Sequence, residues 1–362
     1  MRKYRRLVIV TFRHLLFEGT QQETVLICGI REDSSGARMK WIELDGLSDL
    51  EALDEKSAAN GVPADLNHAR EKWTQYYLSP SELDLVRSLE TSDSLTTLHA
   101  LAGVDVGVVT GRNEFFVLSR SEAVERGVLD WCVPIVGRSM QVPGVILTSA
   151  EMHQQAERGT KCFLLNLTGM TRAQLPEPAR RYVEYGERQD FDRGYKCRIR
   201  LPHWWDLPSA WHPDAFLLRQ IHDAPRIILN LSAATSTDTV HRVRVKGNTR
   251  PETLAAASLN SVTVAFAEIR GRSYGGGVLE LEPTEAEALP FPKPNGTTEL
   301  DEVDRLIRAR DIEEALDLVD KESLGTIGRA DLRVMRDIWN KLRRRRLARR
   351  YSRDTEAASV SV

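Results

Sequence analysis

Side chains able to grip a polyanion recur along this chain in short arrangements. Lys196, Arg198 and Arg200 occupy alternate positions, as do Arg242, Arg244 and Lys246 after His241. If each run is a strand, alternation puts its cations on one face. Such a row suits phosphate contacts, which orient a duplex without reading its sequence. Arg112 and Asn113 stand between the apolar runs Val106–Thr110 and Phe115–Leu118, and these two side-chain types read guanine and adenine edges bidentately. Plainer roles fit the same residues: solvated strand faces for the two rows, and for Arg112–Asn113 a turn in which asparagine tolerates positive φ. Trp204–Trp205 suits stacking on bases or wedging into DNA, and suits packing at the edge of a core better. His203, His212 and His222 lack partner spacing and read as structural.

The charge distribution agrees with the rows, although the net charge of −2 does not reveal it. From Glu299 to Glu322 there are ten acidic and four basic residues, and from Arg329 to Arg353 eleven basic and two acidic. The stretch Arg226–Arg272 carries seven Lys/Arg against three acids. Local excess, not total charge, decides which surface attracts a polyanion. The tail Lys341–Arg353 suits phosphates too, or an exposed helix whose Leu332, Met335, Ile338, Trp339 and Leu342 stripe packs on the body while the arginines occupy other faces.

Several chemistries lack their residues. The sequence has no Gly-x-Gly-x-x-Gly, Walker loop, His-Glu-x-x-His or Gly-x-Ser-x-Gly. Tyr274-Gly-Gly-Gly277 reads as a plain loop. Pro213-Asp214 with later Glu and Lys is a loose nuclease pattern without a compact Glu-x-Lys. Cys28, Cys132, Cys162 and Cys197 stand alone, which argues for reduced thiols in a cytoplasmic protein. No apolar run approaches the roughly 20 residues of a membrane span.

The elements that must position these residues are those of a mixed α/β chain. Leu7–Val10 and Val25–Cys28 are apolar without alternation, the pattern of strands covered on both faces, and Trp41–Leu44 is a shorter strand. A hairpin alone cannot cover both of its faces, so it is expected either to be covered by segment 46–100 or to be left as an edge for a partner. Ser79-Pro80-Ser81-Glu82 opens a helix with Leu83, Val86 and Leu89 at helical spacing. Val106–Thr110 and Phe115–Leu118 read as strands, and Ser121–Gly127 as a capped helix. Heavy Pro/Gly punctuation marks the middle as loop-rich. Pro290–Gly296 is the clearest linker, and two helices, Glu299–Val319 and Arg329–Tyr351, follow it before frayed terminal residues.

Four segments carry a resemblance: Asp105-Val-Gly-Val-Val-Thr-Gly-Arg-Asn-Glu-Phe-Phe-Val-Leu118, Tyr195-Lys-Cys-Arg-Ile-Arg-Leu-Pro-His-Trp-Trp205, Pro225–Val245 and Gly275–Pro292. In this order they resemble the target-recognition domain of amino-type, gamma-like adenine-specific DNA methyltransferases of restriction-modification type, in which that domain follows the catalytic one. Ile9–Ile27 is similar to the closing strand hairpin of the same catalytic domain. The resemblance covers roughly residues 5–295, and the order of the segments carries it, no single one being specific. It also implies a glycine-rich S-adenosylmethionine loop and an Asn-Pro-Pro-Tyr-like tetrapeptide upstream of the hairpin. This sequence has no Pro-Pro pair, so no catalytic, cofactor or metal residue is expected here, and S-adenosylmethionine is expected on a catalytic partner or missing domain.

The expectation is a residual hairpin at residues 1–45, a connecting segment at 46–97, a target-recognition domain at 98–295 and a C-terminal helical pair at 296–362. The chain is expected to read duplex DNA for adenine methylation, as a subunit or truncated form in a restriction-modification or phage-defence system. A catalytic subunit would dock on residues 1–45. The DNA-binding set is Arg112, Asn113, Lys196, Arg198, Arg200, Trp204, Arg242, Arg244, Lys246 and Arg272. The alternatives are a stand-alone DNA-binding or interaction protein with no part in methylation and, behind it, a nuclease.

Overall fold

The computed structural model describes residues 4–14, 16–17, 24–31, 38–53, 62–64, 71–208, 210–274, 276–293, 296 and 298–357. The hairpin connection, much of segment 54–70, Gly275, Pro294, Asn295 and the terminal residues 358–362 lie outside the described residues. The fold is mixed α/β, built from several small sheets and ending in helices. No helix among the described residues is long and apolar enough to cross a membrane.

β1 (Tyr4–Phe12) and β2 (Val25–Arg31) form the antiparallel hairpin, with Ile9 opposite Ile27. β3 (Arg38–Leu44) lies parallel to β1, and β4 (Val62–Ala64) closes the sheet in the order β2-β1-β3-β4. β1 is apolar on both faces because both are covered. Leu7 and Ile9 join the main core with Met39 and Tyr76, and Val8, Val10 and Phe12 pack with Leu26, Ile42, Leu44, Leu50 and Leu53. β2 differs: it is an edge, with Val25 37% and Ile27 55% exposed. Segment 46–100 supplies only part of the cover of β1, through Leu50, Leu53 and Tyr76, while β2 is left at the edge of the sheet.

The main core is organised by a five-stranded sheet that takes Ala102–Asp105, Val240–Val245, Ala215–Leu218, Ile227–Leu231 and Ile146–Thr148 in that spatial order. The Pro80–Glu90 helix starts as its sequence predicts. Ser79 N donates to the Glu82 carboxylate at 2.6 Å, Glu82 N returns to Ser79 Oγ at 3.3 Å, and Leu83, Val86 and Leu89 are buried. A second hydrophobic core holds Val108, Phe115–Leu118, Leu164, Leu165, Tyr182, Cys197 and Trp205. Its sheet takes Thr235–Ser236, Cys132–Val136, Phe163–Leu165 and Val117–Leu118 in order. Phe115 stacks on Tyr182 with centroids 4.5 Å apart.

The Arg329–Ala357 helix runs against the buried helix Ser261–Arg270. Met335, Ile338, Trp339 and Leu342 are buried as expected, but the arginines do not keep to other faces. Arg346 is 1% exposed and grips Glu268 at 2.6 Å and the His222 carbonyl at 3.1 Å. Arg345 lies 3.8 Å over the Tyr77 ring, Arg343 meets Asp223 and Lys341 meets Glu82. Much of the basic tail through Arg346 is thus spent on docking the helix; the side chains beyond Ala348 lie outside the described residues.

Other expectations require correction. Pro290–Pro292 is a buried strand paired with Leu95–Thr97, where Phe291 fills the core and a two-stranded edge pairing tolerates residues without N–H groups. Glu299–Val319 is not one helix: Arg310 has φ 65°, which ends Leu300–Arg308, and the Asp311 side chain caps Ile312–Ser323. The helix read at Ser121–Gly127 spans Arg120–Glu125 with Ser119 as its cap, and Gly127 follows at φ 67°.

Candidate nucleic-acid interface

Residues 106–113 leave the main sheet after Asp105 and enter the second core at Phe115, forming a seam between the two cores. The sequence reads a strand at Val106–Thr110, but only Val108 makes a bridge, to Thr237. Phe115 and Phe116 belong to a helical turn, Asn113–Phe116, with Val117–Leu118 the short strand after it. With so little sheet pairing, the seam's carbonyls need other donors. Two arginines supply them.

Arg200 Nη2 donates to the carbonyls of Val109 at 2.7 Å and Thr110 at 2.6 Å, and its Nη1 to the Trp204 carbonyl at 3.2 Å. Arg242 Nη2 donates to the Val106 carbonyl at 2.9 Å. Burial pulls both guanidiniums below the ordinary arginine value. Neighbouring His241 is fully buried, its Nε2 2.8 Å from the Leu281 carbonyl, and burial lowers it too, so it stays neutral and structural.

This corrects the reading of Lys196, Arg198 and Arg200 as three cations on one strand face. Tyr195–Arg198 is a helical turn, so Lys196 and Arg198 project to solvent while Arg200 turns inward over the seam. The row Arg242–Lys246 does start on a strand, Val240–Val245, yet its members do different things. Arg242 is 8% exposed. Arg244 is exposed, its guanidinium 4.1 Å over the Trp211 ring, with Arg242 4.7 Å from the same centroid. Lys246 Nζ donates to the His99 carbonyl at 2.7 Å. Arg272 lies apart on a small sheet, paired with Glu285 at 3.0 Å. Trp204 takes the packing role: its ring sits 4.8 Å from Phe115, and its Nε1 donates to Glu187 at 3.2 Å.

The turn at Arg112–Asn113 and the helical turn at Lys196 come together in space. Gly111 has φ 72°, and a Cβ there would lie 2.6 Å from Lys196 Cβ, so only glycine lets the segments approach so closely. Arg112 packs over Gly194, its Nε sealed from solvent without a partner. Asn113 Oδ1 accepts from Thr110 Oγ1 at 2.5 Å, which fixes the turn.

Asn113 also opens onto a polar cleft of about 840 Å³ that the sequence reading missed. Its walls carry Arg138, Met140, Gln154, Arg158 and Lys161. Gln141 and Gln155 brace it: Gln141 Oε1 accepts from the Gly137 and Arg138 amides at 2.7 and 2.8 Å, and Gln155 Nε2 donates to the Gln141 carbonyl at 2.8 Å. Lys161 is paired with Glu122, but among the described residues no ion pair holds Arg138 or Arg158. These residues come from the segment 137–141, which ends in the 3-10 turn Ser139–Gln141, and from the Ser149–Glu157 helix with the residues after it, so no spacing rule joins them. Asp214 of the loose nuclease pattern is engaged in the fold, accepting the Val245 amide at 2.9 Å.

Two cores are thus joined by a clamped seam, with cations and amides projecting beside it. The chain belongs to the family described as type II methyltransferase M.Eco57I, C-terminal domain, whose model matches residues 70–324. It is 20% identical over 298 residues to the type II methyltransferase M.AccI of Acinetobacter calcoaceticus, covering 78% of this chain and 52% of that protein. The chain thus spans about half the length of that curated relative. Solved structures give looser likenesses. The type IIG restriction endonuclease BpuSI matches with a TM-score of 0.45 and 12% identity over 97% of this chain and 44% of its own. The type IIL restriction-modification enzyme MmeI in complex with DNA matches with 0.38 and 11% over 99% and 46%.

Proposed function

We propose that this chain reads a specific duplex DNA site for an adenine methyltransferase of a restriction-modification or phage-defence system, acting in the cytoplasm. The observation that carries the reading is the approach of the Arg112–Asn113 turn to the helical turn bearing Lys196, with Asn113 opening onto the cleft and the seam held by the inward-turned Arg200 and Arg242. Exposed cations supply phosphate contacts, and Arg112, Asn113, Arg138, Gln154 and Arg158 are side chains that read base edges. Of the ten residues singled out in the sequence, Lys196, Arg198 and Arg244 are proposed as phosphate contacts and Arg112 and Asn113 as base readers. Arg200, Arg242 and Trp204 hold the scaffold.

The glycine turn that the sequence offers is no cradle for S-adenosylmethionine. The glycine turn at Gly276–Gly277 joins two strands instead of leading into a helix, and Gly277 faces Leu347. The cofactor belongs to a catalytic part, whose sheet we assign to the open edge of β2. Val25 and Ile27 are exposed there, and an unpaired strand edge is a ready template for another strand.

The test is duplex affinity as a function of salt. Binding should weaken steeply with salt, and replacing Lys196, Arg198 and Arg244 together by alanine should reduce the log–log slope by up to about three. Arg112→Ala should cost about 1–3 kcal/mol on the preferred site and less on random DNA. Salt-independent binding, or none, overturns the proposal.

A further inference from the structure

The segment 195–201 exposes apolar surface that the fold does not need. Leu201 is 88% exposed, Tyr195 64% and Ile199 52%, and the exposed cations Lys196 and Arg198 lie among them. A loop of this kind is normally polar, and an exposed apolar cluster on a protein surface marks a contact.

The loop is also firmly rooted. Arg200 ties both of its sides together, reaching the Trp204 carbonyl at 3.2 Å and the Val109 and Thr110 carbonyls across the seam. Asp206, 8% exposed, accepts the His203 amide at 3.2 Å and the Gly169 amide at 3.0 Å. Trp204 and Trp205 are packed into the second core directly behind it. Leu201 therefore projects from a fixed base, beside a cleft of about 570 Å³ lined by Val109, Lys196 and Ile199.

We propose that Leu201, backed by Ile199, is a wedge that enters a DNA duplex between stacked bases while Lys196 and Arg198 hold the flanking phosphates. The inference rests on the DNA-reading function proposed above and names what one loop does within it. Charge selects the occupant: an apolar tip that follows the exposed cations Lys196 and Arg198 complements a polyanion with an apolar stack inside. Apolar side chains inserted at a base step are a recurrent way of opening and kinking DNA. Insertion spends energy on unstacking, so a duplex whose stack is already broken should bind more tightly.

That gives a test without knowledge of the recognised sequence. The full chain is titrated with two duplexes of the same length, one intact and one carrying a single abasic site. The wedge predicts about tenfold tighter binding to the abasic duplex, and loss of that preference in Leu201→Ala and Leu201→Ser. Replacing Lys196 and Arg198 by alanine should weaken both duplexes alike and leave their ratio intact. Leu201 is almost wholly exposed, so a thermal melt should show the variants folded as stably as the parent. No preference for the abasic duplex, or a preference that survives both Leu201 variants, overturns the wedge while leaving DNA reading standing. Failure to bind either duplex removes the function on which it rests. If Leu201→Ser leaves the DNA ratio unchanged but dissolves a self-associated species, the loop is a protein contact and the wedge is wrong.

Discussion

Arg200 Nη2 and the carbonyl oxygen of Thr110 lie 2.6 Å apart, although 89 other residues separate them along the chain. This bond joins the seam to the loop that carries Lys196 and Arg198. A buried carbonyl that loses a charged donor costs about 1–3 kcal/mol. Arg200→Ala should therefore lower the melting temperature and weaken DNA binding together. Lys196→Ala should weaken binding at an unchanged melting temperature. An Arg200→Ala protein as stable as the parent would show that the clamp is dispensable.

The cleft beside Asn113 should contribute specificity more than affinity. Arg158→Ala and Gln154→Ala are expected to relax the preferred sequence at one or two positions, each by about 1–3 kcal/mol of discrimination. Random-duplex affinity should hardly change for Gln154→Ala. Selection of bound sequences from a randomised pool would show it; an unchanged motif in both variants places base reading elsewhere.

Acid should loosen the docking of the C-terminal helix. Burial would raise the Glu82 carboxyl, but the Ser79 amide and Lys341 outweigh it and hold Glu82 below its ordinary 4.5. Glu122 behaves likewise through Lys161 and Ser119, against the burial that would raise it. A carboxylate depressed in the folded state stabilises above its unfolded pKa, and that stability fades as pH falls through the folded value. Unfolding free energy should accordingly drop below pH 4.5, and Glu82→Gln should flatten part of that fall. Urea melts across the acid range would decide it.

Thiol chemistry should single out one cysteine. Burial pushes Cys132 up to about 12 and Cys162 up to about 11, and it raises Cys197 as well. Cys28 is exposed on the edge strand. A thiol reagent at pH 8 should titrate one fast site in the native protein, abolished by Cys28→Ser. Two or more fast sites would contradict the burial described.

The open edge of β2 can be tested by charge. Val25→Lys with Ile27→Lys should prevent association with a separately expressed catalytic core of the same family and leave duplex affinity intact. Co-purification that survives both lysines would send the catalytic contact elsewhere.

The sequence revealed the elements whose signals are local. The capping pair Ser79 and Glu82, the helical stripe through Leu342 and the apolar runs of β1 and β2 all formed where their spacing placed them. Alternation misled at Lys196–Arg200, because a period of two over five residues does not exclude a helical turn, and there tertiary bonds to the seam decided the backbone. Proline was misread at Pro290–Pro292, where an apolar residue between two prolines was the stronger clue. Arg138 and Arg158 left no local signal, because the cleft exists only once two distant segments meet.

The division of labour between inward and outward arginines bears on how such a module diversifies. Arg200 and Arg242 hold the backbone of the seam, so drift at those two positions should be purged as loss of the protein. Among the described residues, Arg112, Arg138, Gln154 and Arg158 hold no backbone outside their own segments, so exchange among relatives would alter the message without dismantling the reader. Retargeting by cassette follows: grafting residues 110–113, 137–141 and 154–161 from a relative onto this frame should move the recognised sequence with them.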